Sequence, residues 1–475
     1  MSIGITAFGA YLPYMRLKRE TIGAAWERRG LKGERCVANN DEDAVTMAVA
    51  AARTCLPVME PDSIEALYFA SVTAPYAEKS HATLAATACN LSTDVFTADF
   101  GSTPRAGTSA LKAALDAVSC GMKAALVTAA DCPLAFPKSD QEQLFGDAGA
   151  AVAVGGENVV AELTAFASVN TEIIDMWRNY GERFVNVGEE RFISDKGYKT
   201  AMTAACQKVL AKAGLQSSDI AKAVFATPGL KDDKGVAKKL GLTEEQAADN
   251  YMLEIGNCYS AQPLLLLCGA LETAKPGDRL LVAGYGNGAD AFIFTVTDAI
   301  AGYPRGRFAA QLRNKKYIGS YIRYLSFRGL TETKPGEPFR TFPSNSATWR
   351  DQKSILRGVG HKCKACGVTT FPGHRICPGC MAKDQNEQVH MTDRKTSIFT
   401  YSIDNLAGRG DDPVVVQTVA EDAEGTRFYM LMTDFEESEI KVGLELEFTF
   451  RMVYEGGNFR NYYWKCRPAR EGGNE

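Results

Sequence analysis

Residues 100–111, Phe-Gly-Ser-Thr-Pro-Arg-Ala-Gly-Thr-Ser-Ala-Leu, join two segments of different periodicity. The apolar run Val95–Ala98 before them is short and indicates a buried strand. The segment Thr108–Ser119 is Ala-rich and amphipathic, which predicts a helix. A buried strand followed by such a helix is typical of an α/β fold. The sequence around residue 100 therefore predicts that fold class.

This alternation continues over the first 300 residues and repeats once. In the first half we predict helices at Ala44–Arg53 and His81–Cys89, and strands at Ala66–Ala70, Ala124–Thr128 and Ala150–Val154. In the second half we predict helices at Ala201–Ala213 and Gln262–Thr273, and strands at Ala223–Ala226, Arg279–Ala283 and Ala291–Val296. Two similar halves indicate a duplicated unit, and we place them at residues 1–165 and 166–300.

The composition argues against several classes of protein. The 475 residues are too many for one ordinary core and predict two to four domains. A net charge of −4 offers no attraction for nucleic acid or an anionic membrane. The longest apolar run, around Pro263–Cys268, is too short to span a bilayer, so we expect no membrane partner. The first residues lack the basic segment of a signal peptide.

The 13 cysteines fall into two groups. Nine are scattered among apolar or small neighbours, which suits a reducing compartment, so we expect a cytoplasmic protein. The other four form two Cys-x-x-Cys pairs, with ten residues between the pairs: Cys363, Cys366, Cys377 and Cys380. Two such pairs supply four thiolates for a tetrahedral Zn²⁺ and leave no open coordination position. We therefore predict a structural zinc in a ribbon over residues 356–386, with a redox-active Cys-x-x-Cys as the alternative.

The remaining segments differ in character from the body. Residues 301–355 mix Gly, Pro, basic and aromatic residues, and we interpret them as a linker whose helix packs its aromatic side chains on the body. The alternative is a nucleic-acid-binding segment. Residues 387–475 contain short alternating runs, which predict the strands of a small all-β barrel at Ser397–Ser402, Pro413–Thr418, Arg427–Thr433 and Leu444–Arg451.

The ribbon and barrel together resemble the zinc-ribbon and OB-fold module that accompanies acyl-CoA thiolases. The resemblance covers roughly residues 345–470 and implies a lead-in helix within residues 346–358. An OB fold can also bind oligonucleotides. The barrel segment, however, carries many acids, including Glu436, Glu437 and Glu439, and no basic stripe. We therefore expect no nucleic-acid partner.

Four segments of the body are similar to those of 3-hydroxy-3-methylglutaryl-CoA synthases, a family of the thiolase superfamily. They are Arg105–Thr108, Glu142–Ala150, Gly256–Ser260 and Gly277–Gly288. The resemblance implies the α/β thiolase fold, a five-layered α-β-α-β-α duplication. It also implies a homodimer formed through this body and an acyl-CoA thioester as substrate, so that CoA enters as part of the substrate.

The same resemblance implies that three catalytic groups are missing. The family uses a cysteine at a helix N-terminus to carry the acyl group, a histidine at the second substrate, and a glutamate as acid and base. Pro104 stands at the cysteine position, Ala226 at the histidine position, and Val72 or a neighbour at the glutamate position. Proline has no nucleophile, so acyl-cysteine chemistry cannot start there.

Other reactive side chains near these positions have weaker cases. Ser102 and Thr103 adjoin Pro104 but have no obvious base to activate a hydroxyl. We interpret Cys258 as a packing thiol. His81 is the body's one histidine among the four in the chain, and we expect it to be a surface or interface residue at a helix start.

The polar groups that remain suit the stabilisation of a thioester enolate. Tyr76, Tyr259 and Tyr285 offer phenols for proton transfer, and of these we expect Tyr285 or Tyr76 to move the proton. We expect Asn257 and Asn287 to hydrogen-bond a carbonyl or hydroxyl. For each tyrosine the alternative is a core aromatic with a satisfied hydroxyl.

Three further residues are candidates for binding the CoA ligand. Gly286 lies in a Gly-rich turn that lets backbone N–H groups approach a ligand closely. Arg105 and Lys231 are candidates for the phosphates of CoA, and the alternative for both is a solvated surface charge.

Two functions are compatible with these residues. The first is an enzyme that makes or breaks a C–C bond beside a CoA thioester without an acyl-cysteine. Thiolase-superfamily aldolases of steroid side-chain breakdown resemble this case. The second is a non-catalytic subunit that binds CoA ligands and supports an active thiolase-superfamily partner. We favour the first because the polar turns that contain Asn257 and Asn287 persist.

Overall fold

The computed structural model describes residues 2–332, 344–408 and 412–470. Their helices are α1 (Arg19–Ala25), α2 (Ala44–Cys55), α3 (His81–Ala88), α4 (Ala106–Ser119), α5 (Gln141–Leu144), α6 (Glu190–Phe192), α7 (Lys199–Ala213), α8 (Asp232–Leu240), α9 (Gln262–Thr273), α10 (Arg307–Arg313), α11 (Tyr321–Phe327), α12 (Asn345–Arg350) and α13 (Gln352–Ile355). The strands of the body and linker are β1 (Gly4–Tyr11), β2 (Met15–Lys18), β3 (Glu34–Val37), β4 (Ile64–Ala70), β5 (Phe96–Phe100), β6 (Ala124–Asp131), β7 (Ala148–Gly155), β8 (Ala161–Asn170), β9 (Met176–Trp177), β10 (Asn186–Val187), β11 (Lys222–Phe225), β12 (Arg279–Tyr285), β13 (Gly288–Val296) and β14 (Lys316–Tyr317). Those of the C-terminal part are β15 (Val359–Cys363), β16 (Thr369–Thr370), β17 (Asn386–His390), β18 (Thr396–Asp404), β19 (Val415–Asp422), β20 (Arg427–Leu431), β21 (Glu445–Gly456) and β22 (Phe459–Pro468).

The body is built on a nine-stranded sheet in the order β11-β12-β13-β8-β1-β7-β6-β4-β5. In the first half, β1, β7 and β6 are antiparallel neighbours, and β6 runs parallel to β4. The second half repeats these directions with β8, β13, β12 and β11. The halves meet where Gly4 of β1 pairs with Glu162 of β8. This repetition confirms the predicted duplication.

Helices form three layers around the two halves of the sheet. Between the halves, α4 packs on β4 and β6, α9 packs on β11 and β12, and the two helices contact each other. On the outer faces, α2 packs on β1 and β7, and α7 packs on β8 and β13. The central helix α9 is buried on all sides from Gln262 to Leu271, as expected of a helix between two sheets. These five α-β-α-β-α layers confirm the predicted fold class.

The strand at residues 95–98 differs from its prediction in burial. It is present as β5, but it lies at the edge of the sheet, and Phe96 is 55% exposed. A run of apolar residues cannot by itself distinguish a central strand from an edge strand that is covered by something else. The prediction of a strand is confirmed, and the prediction that it is buried is wrong within this chain.

The linker returns to the body rather than crossing solvent. Helix α11 places Tyr321, Tyr324 and Phe327 in a cluster with Met15 and Leu17. The Tyr321 hydroxyl also donates a hydrogen bond of 2.7 Å to buried Glu142. The predicted packing of these aromatic side chains is confirmed. Residues 333–343 of the linker lie outside the described residues.

The C-terminal part forms two all-β units. The strands β16, β15 and β17 make a small sheet, and β20-β19-β18-β21-β22 make a five-stranded antiparallel sheet. Met432, just after β20, bridges in parallel to Cys466 of β22, so the sheet curls until its two edge strands meet. The strand β22 was not predicted, although its alternate residues Tyr462, Trp464 and Cys466 are buried. No helix in the described ranges has the length and apolarity needed to span a membrane.

Candidate active site

The turn before α4 places Pro104 beside a cavity. After β5 ends at Phe100, Ser102 adopts a left-handed φ of 68°, and the helix begins at Ala106. Gly286 packs against this turn so closely that a Cβ atom would lie 2.4 Å from Thr103 Oγ1. The turn is therefore fixed from the second half of the body. Pro104 lines a cavity of about 930 Å³, a volume typical of a ligand site.

The wall of this cavity comes from both ends of the chain. The body contributes, among others, Val72, Tyr76, His81, Asp99, Cys132, Trp177 and Tyr259. The β21–β22 hairpin of the barrel contributes Met452, Glu455 and Arg460. The C-terminal unit therefore forms part of the same cavity that Pro104 faces.

Asp131 fixes the segment that carries Val72, where the sequence predicts, at Val72 or a neighbour, the position of the missing glutamate. Its Oδ1 accepts the N–H groups of Val72 and Thr73 at 2.8 and 2.9 Å and the Thr73 hydroxyl at 2.7 Å. Its Oδ2 accepts the N–H of Ser260 at 2.9 Å. Burial raises the pKa of Asp131, although these hydrogen bonds oppose the shift. The carboxylate thus holds the segment in place but presents no group to the cavity.

His81 is not the surface or interface residue that the sequence predicts. Its side chain is 5% exposed, and its Nδ1 lies 2.8 Å from Asp99 Oδ2. Its Nε2 accepts the backbone N–H of Tyr76 at 3.2 Å. The prediction failed because Asp99 is 18 residues away in sequence, on a strand that the fold places beside the start of α3.

Of the four residues that we expect to be catalytic, Tyr285, Tyr76, Asn257 and Asn287, Tyr76 is the one that lines this cavity. Its ring stacks on His81 with centroids 6.0 Å apart. Its hydroxyl oxygen accepts the backbone N–H of Arg460 at 2.7 Å. Because that oxygen already accepts a bond, the hydroxyl proton is left to donate elsewhere.

Tyr285 lies away from this cavity, in the cluster beneath α7. Its hydroxyl donates to Asp175 Oδ2 at 2.7 Å, and its ring packs edge-on against Tyr198. Burial, together with the hydrogen bond to Asp175, raises the pKa of Tyr285 well above its usual value. The structure does not bring Tyr285 together with Tyr76.

The two predicted asparagines hold turns instead of facing the cavity. Asn257 Oδ1 accepts the N–H of Tyr259 at 2.9 Å, and Tyr259 does line the cavity. Asn287 has a left-handed φ of 48°, and its Nδ2 donates to the carbonyl of Ile173 at 2.9 Å. Asn257 thus acts on the cavity wall through its neighbour, whereas Asn287 braces the turn that contains Gly286.

The predicted phosphate-binding residues also lie outside the cavity lining. Arg105 points to Asp290, with 3.4 Å between Nη1 and Oδ1, and is largely buried. Lys231 is exposed at the start of α8. Sequence reasoning missed Arg178 and Arg183, which line the cavity on the loop after β9. Their only sequence signal is the alternation of basic and aromatic residues from Trp177 to Arg183.

The other candidate nucleophiles differ in their access to the cavity. Ser102 lines it, whereas Cys258 is fully buried elsewhere, which supports its interpretation as a packing thiol. Cys132, which was not singled out from the sequence, also lines it. Burial raises the pKa of the Cys132 thiol well above its usual value, so the thiol is a poor nucleophile at neutral pH. Ala226, which the sequence predicts to occupy the histidine position, is buried and outside this lining.

The four paired cysteines converge in the ribbon. The Sγ atoms of Cys363 and Cys380 are 3.7 Å apart and those of Cys366 and Cys377 are 3.5 Å apart. All four Sγ atoms lie within 4.8 Å of one another. A tetrahedral zinc with Zn–S bonds of about 2.3 Å requires S–S separations of about 3.8 Å, so the cluster fits that ion. His361 is not in this cluster, and its Nδ1 faces the carbonyl of His374.

Comparisons with known proteins point to one family. A family model described as the C-terminal domain of 3-oxoacyl-[acyl-carrier-protein] synthase III matches residues 210–296. The hydroxymethylglutaryl-CoA synthase of Methanopyrus kandleri is 35% identical over 311 residues, which cover 63% of this chain and 89% of that protein. That of Thermococcus sibiricus is 36% identical over 341 residues, which cover 69% of this chain and 96% of that protein.

Solved structures share the same fold. The structure of MvaS in complex with 3-hydroxy-3-methylglutaryl coenzyme A has a TM-score of 0.61 and 21% identity, and the match covers 72% of this chain and 94% of that chain. An HMG-CoA synthase complexed with CoA has a TM-score of 0.63 and 18% identity, and the match covers 72% of this chain and 95% of that chain. Since the sequence relatives match over most of their own length at more than 30% identity, the chain belongs to the hydroxymethylglutaryl-CoA synthase family of thiolase-superfamily enzymes.

Proposed function

We propose that the protein acts on an acyl-CoA thioester and makes or breaks a C–C bond without an acyl-cysteine intermediate. The observation that carries this proposal is the position of Pro104, which faces a ligand-sized cavity where the family's nucleophile is expected. An aldol or retro-aldol step suits such a site, because it needs a proton donor or acceptor and a stabilised enolate but no covalent acyl group.

Two phenols in the cavity could move the proton of a β-hydroxyl. Tyr76 has a hydroxyl proton free to point into the cavity, and Tyr259 lines the wall on the turn held by Asn257. Burial raises the pKa of Tyr259 well above its usual value, so it would act as a donor rather than as a phenolate. In this proposal Tyr285 and Asn287 support the site indirectly. Tyr285 acts through its hydrogen bond to Asp175, and Asn287 braces the turn that contains Gly286.

The binding of the CoA phosphates is proposed for two arginines of the cavity wall. Arg178 donates to the carbonyl of Val72 at 2.6 Å, and Arg183 donates to the carbonyl of Gly329 at 2.7 Å. These contacts orient the guanidinium groups without neutralising them. Trp177 and Tyr180, which are 40% and 90% exposed on the same loop, offer ring faces for an adenine base.

The alternative function is a non-catalytic subunit that binds CoA ligands and supports an active thiolase-superfamily partner. The expected replacement of the three catalytic groups, by Pro104, by Ala226 and by Val72 or a neighbour, favours it. The two functions differ in what a purified sample does: the enzyme turns over a substrate alone, whereas the subunit raises the rate of a partner.

The test combines intact mass with turnover. We expect incubation with acetyl-CoA or acetoacetyl-CoA to add no acyl group to the protein. We expect 3-hydroxyacyl-CoA substrates with bulky β-substituents to release an aldehyde or ketone, and the rate to fall in Tyr76→Phe. A stable adduct that is lost in Ser102→Ala or Cys132→Ser would overturn the proposal. Turnover only with an added thiolase-like partner would establish the subunit instead.

The assembly around this site is also proposed. The open edge of β5, with Phe96 exposed, suits pairing with a second copy, so we propose a homodimer through this body. We further propose a structural zinc in the ribbon, a cytoplasmic location, and an OB fold for the barrel, whose strand order and parallel closure fit that fold. We propose domains at 1–165, 166–300, 301–355, 356–386 and 387–475, and note that β8 continues across the first boundary.

A further inference from the structure

Two carboxylates hold the Ser71–Tyr76 segment from its two ends. At the first end, Asp131 binds the backbone of Val72 and Thr73 directly. At the second end, the Tyr76 N–H donates to His81 Nε2 at 3.2 Å, and His81 Nδ1 lies 2.8 Å from Asp99 Oδ2. The imidazole is therefore inserted between a carboxylate and the backbone of the cavity wall.

The hydrogen-bond partners of His81 indicate which ring nitrogen carries the proton. Asp99 also accepts the N–H groups of His81 and Ala82 at 2.8 and 2.7 Å, at the start of α3. Burial raises the pKa of Asp99, but the bonds from His81 and Ala82 outweigh burial and hold the pKa below its usual value. An ionised carboxylate can only accept, so the proton lies on Nδ1 and the Nε2 lone pair accepts the Tyr76 N–H. The neutral Nδ1–H tautomer satisfies both neighbours.

This arrangement prevents His81 from acting on a ligand directly. Its Nε2 lone pair is used by backbone, and its Nδ1 proton is used by Asp99. Its ring is packed between Phe69, at 5.4 Å between centroids, and Tyr76, at 6.0 Å. What His81 determines is where Tyr76 sits: it contacts both the backbone and the ring of that residue.

We propose that His81, oriented by Asp99, is a positioning residue that holds Tyr76 so that its phenol proton faces the ligand in the cavity. This inference rests on the proposed function, because it assigns Tyr76 as the proton donor. The geometry is completed from the barrel by the N–H of Arg460, which donates to the Tyr76 oxygen at 2.7 Å. Two partners on separate elements, His81 on α3 and Arg460 on β22, thus hold Tyr76 before any substrate enters, which is the preorganisation that proton transfer requires.

The first test uses the unmodified chain. With four histidines in the sequence, a long-range ¹H–¹⁵N spectrum contains four ring systems, and His81→Gln identifies the one from His81. We expect the Nδ1–H tautomer for His81 at neutral pH. An Nε2–H tautomer, or an imidazolium at neutral pH, would overturn the proposal, since the Tyr76 N–H would then have no acceptor.

A matched pair of substitutions tests the positioning role. In His81→Gln the amide oxygen can reach the place of Nε2 and accept the Tyr76 N–H. In His81→Asn the amide nitrogen can replace Nδ1 towards Asp99 but cannot reach Tyr76. With ¹³Cζ-tyrosine labelling and Tyr76→Phe for assignment, we expect the Tyr76 signal to stay near its original position in His81→Gln. In His81→Asn we expect it to shift towards that of a solvent-exposed tyrosine.

The outcomes separate this inference from the proposed function, because both spectra are recorded without substrate. Equal shifts in the two variants, or no shift in either, would overturn the positioning role even if CoA thioesters bind and react. If the tautomer and the Gln/Asn difference are as expected but no 3-hydroxyacyl-CoA turns over, the proposed function fails and the placement of Tyr76 by His81 stands. If one variant unfolds, the other identifies the His81 signal, and the tautomer measured on the original chain still decides.

Discussion

Arg451 of the barrel lies 2.8 Å from Glu42 of the body, and each side chain is 1% exposed. Arg451 also lies 3.0 Å from Asp41 and contacts Asp434. Around it, Lys465 pairs with Asp41 and Arg460 with Asp43, both at 2.8 Å. The barrel is therefore attached to the body by buried charges that lie beside the cavity.

Removing the central cation should separate the two units more than removing a surface cation. Arg451→Met leaves the buried carboxyl groups of Asp41, Glu42 and Asp434 without their common partner. We expect a loss of about 3–5 kcal/mol in the free energy of unfolding. Urea unfolding followed by tryptophan fluorescence measures it. Arg375→Ala is the control, because Arg375 pairs with Asp384 at the surface and should leave stability near that of the original chain. Equal effects would contradict this role for Arg451.

Glu42 should make stability fall as pH rises above the usual range of a carboxyl group. Burial raises the pKa of Glu42 to about 7, against the attraction of Arg451. The folded state then holds a proton that the unfolded state has released, so its stability declines from about pH 4.5 to pH 7. Glu42→Gln removes this proton exchange. We expect the urea midpoint of Glu42→Gln to lack this decline. If the original chain and Glu42→Gln have the same pH dependence, Glu42 is ionised in the folded state and the prediction is wrong.

The ribbon should contain about one equivalent of zinc by metal analysis. Cys377→Ser removes one of four converging thiols, and we expect the loss of the metal and of the ribbon structure, because structural zinc contributes about 10–16 kcal/mol in isolated peptides. Cys120→Ser is the control, since Cys120 is exposed and outside the cluster. A metal-free preparation with a folded ribbon would instead favour the redox alternative.

The affinity for CoA should depend on the two arginines of the cavity wall. We expect the double variant Arg178→Gln, Arg183→Gln to bind CoA about tenfold more weakly by calorimetry, with pantetheine binding unchanged, because pantetheine lacks the phosphates. Lys231→Gln should bind like the original chain, because Lys231 lies outside the lining. A loss in Lys231→Gln alone would return the phosphate site to the position suggested by the sequence.

A thiol at residue 104 should become acylated without giving efficient catalysis. Pro104→Cys places a cysteine beside the cavity at the start of α4, where the helix dipole favours a thiolate. We expect intact mass after acetyl-CoA treatment to show one acetyl group in this variant. Turnover should remain low, since we expect neither Ala226 nor Val72 or its neighbours to supply the family's histidine and glutamate.

The sequence predicted the fold well because the body's pattern is redundant. Buried strands and apolar helices such as Gln262–Thr273 have one compatible environment, and that helix was predicted with its observed bounds. Because the fold is duplicated, the pattern of strands and helices in each half could be checked against that of the other half. The strand β22 was missed because its run of Tyr, Trp, Lys and Arg does not look apolar, although alternate residues are buried.

The candidate site was predicted less completely, for a geometrical reason. Pro104 and Tyr76 could be placed by local motifs, and both line the cavity. The environment of His81 depends on Asp99, and that of Tyr76 on Arg460, which is 384 residues away. No local pattern contains such pairs. Tyr285, Asn257 and Asn287 were chosen by residue type, and the fold gives each of them a partner in a turn or core.

The hairpin β21–β22 has a consequence for how this protein is assembled. Met452, Glu455 and Arg460 belong to the same chain as Pro104. The part of the cavity wall that they form is therefore always present in a one-to-one ratio with the body and is not lost by dilution. A tether replaces a bimolecular encounter with a local concentration in the millimolar range, so even a weak contact between the two units would remain closed. In the intact chain, the contact between the barrel and the body should not depend on protein concentration. Cutting the linker should therefore make this contact depend on protein concentration.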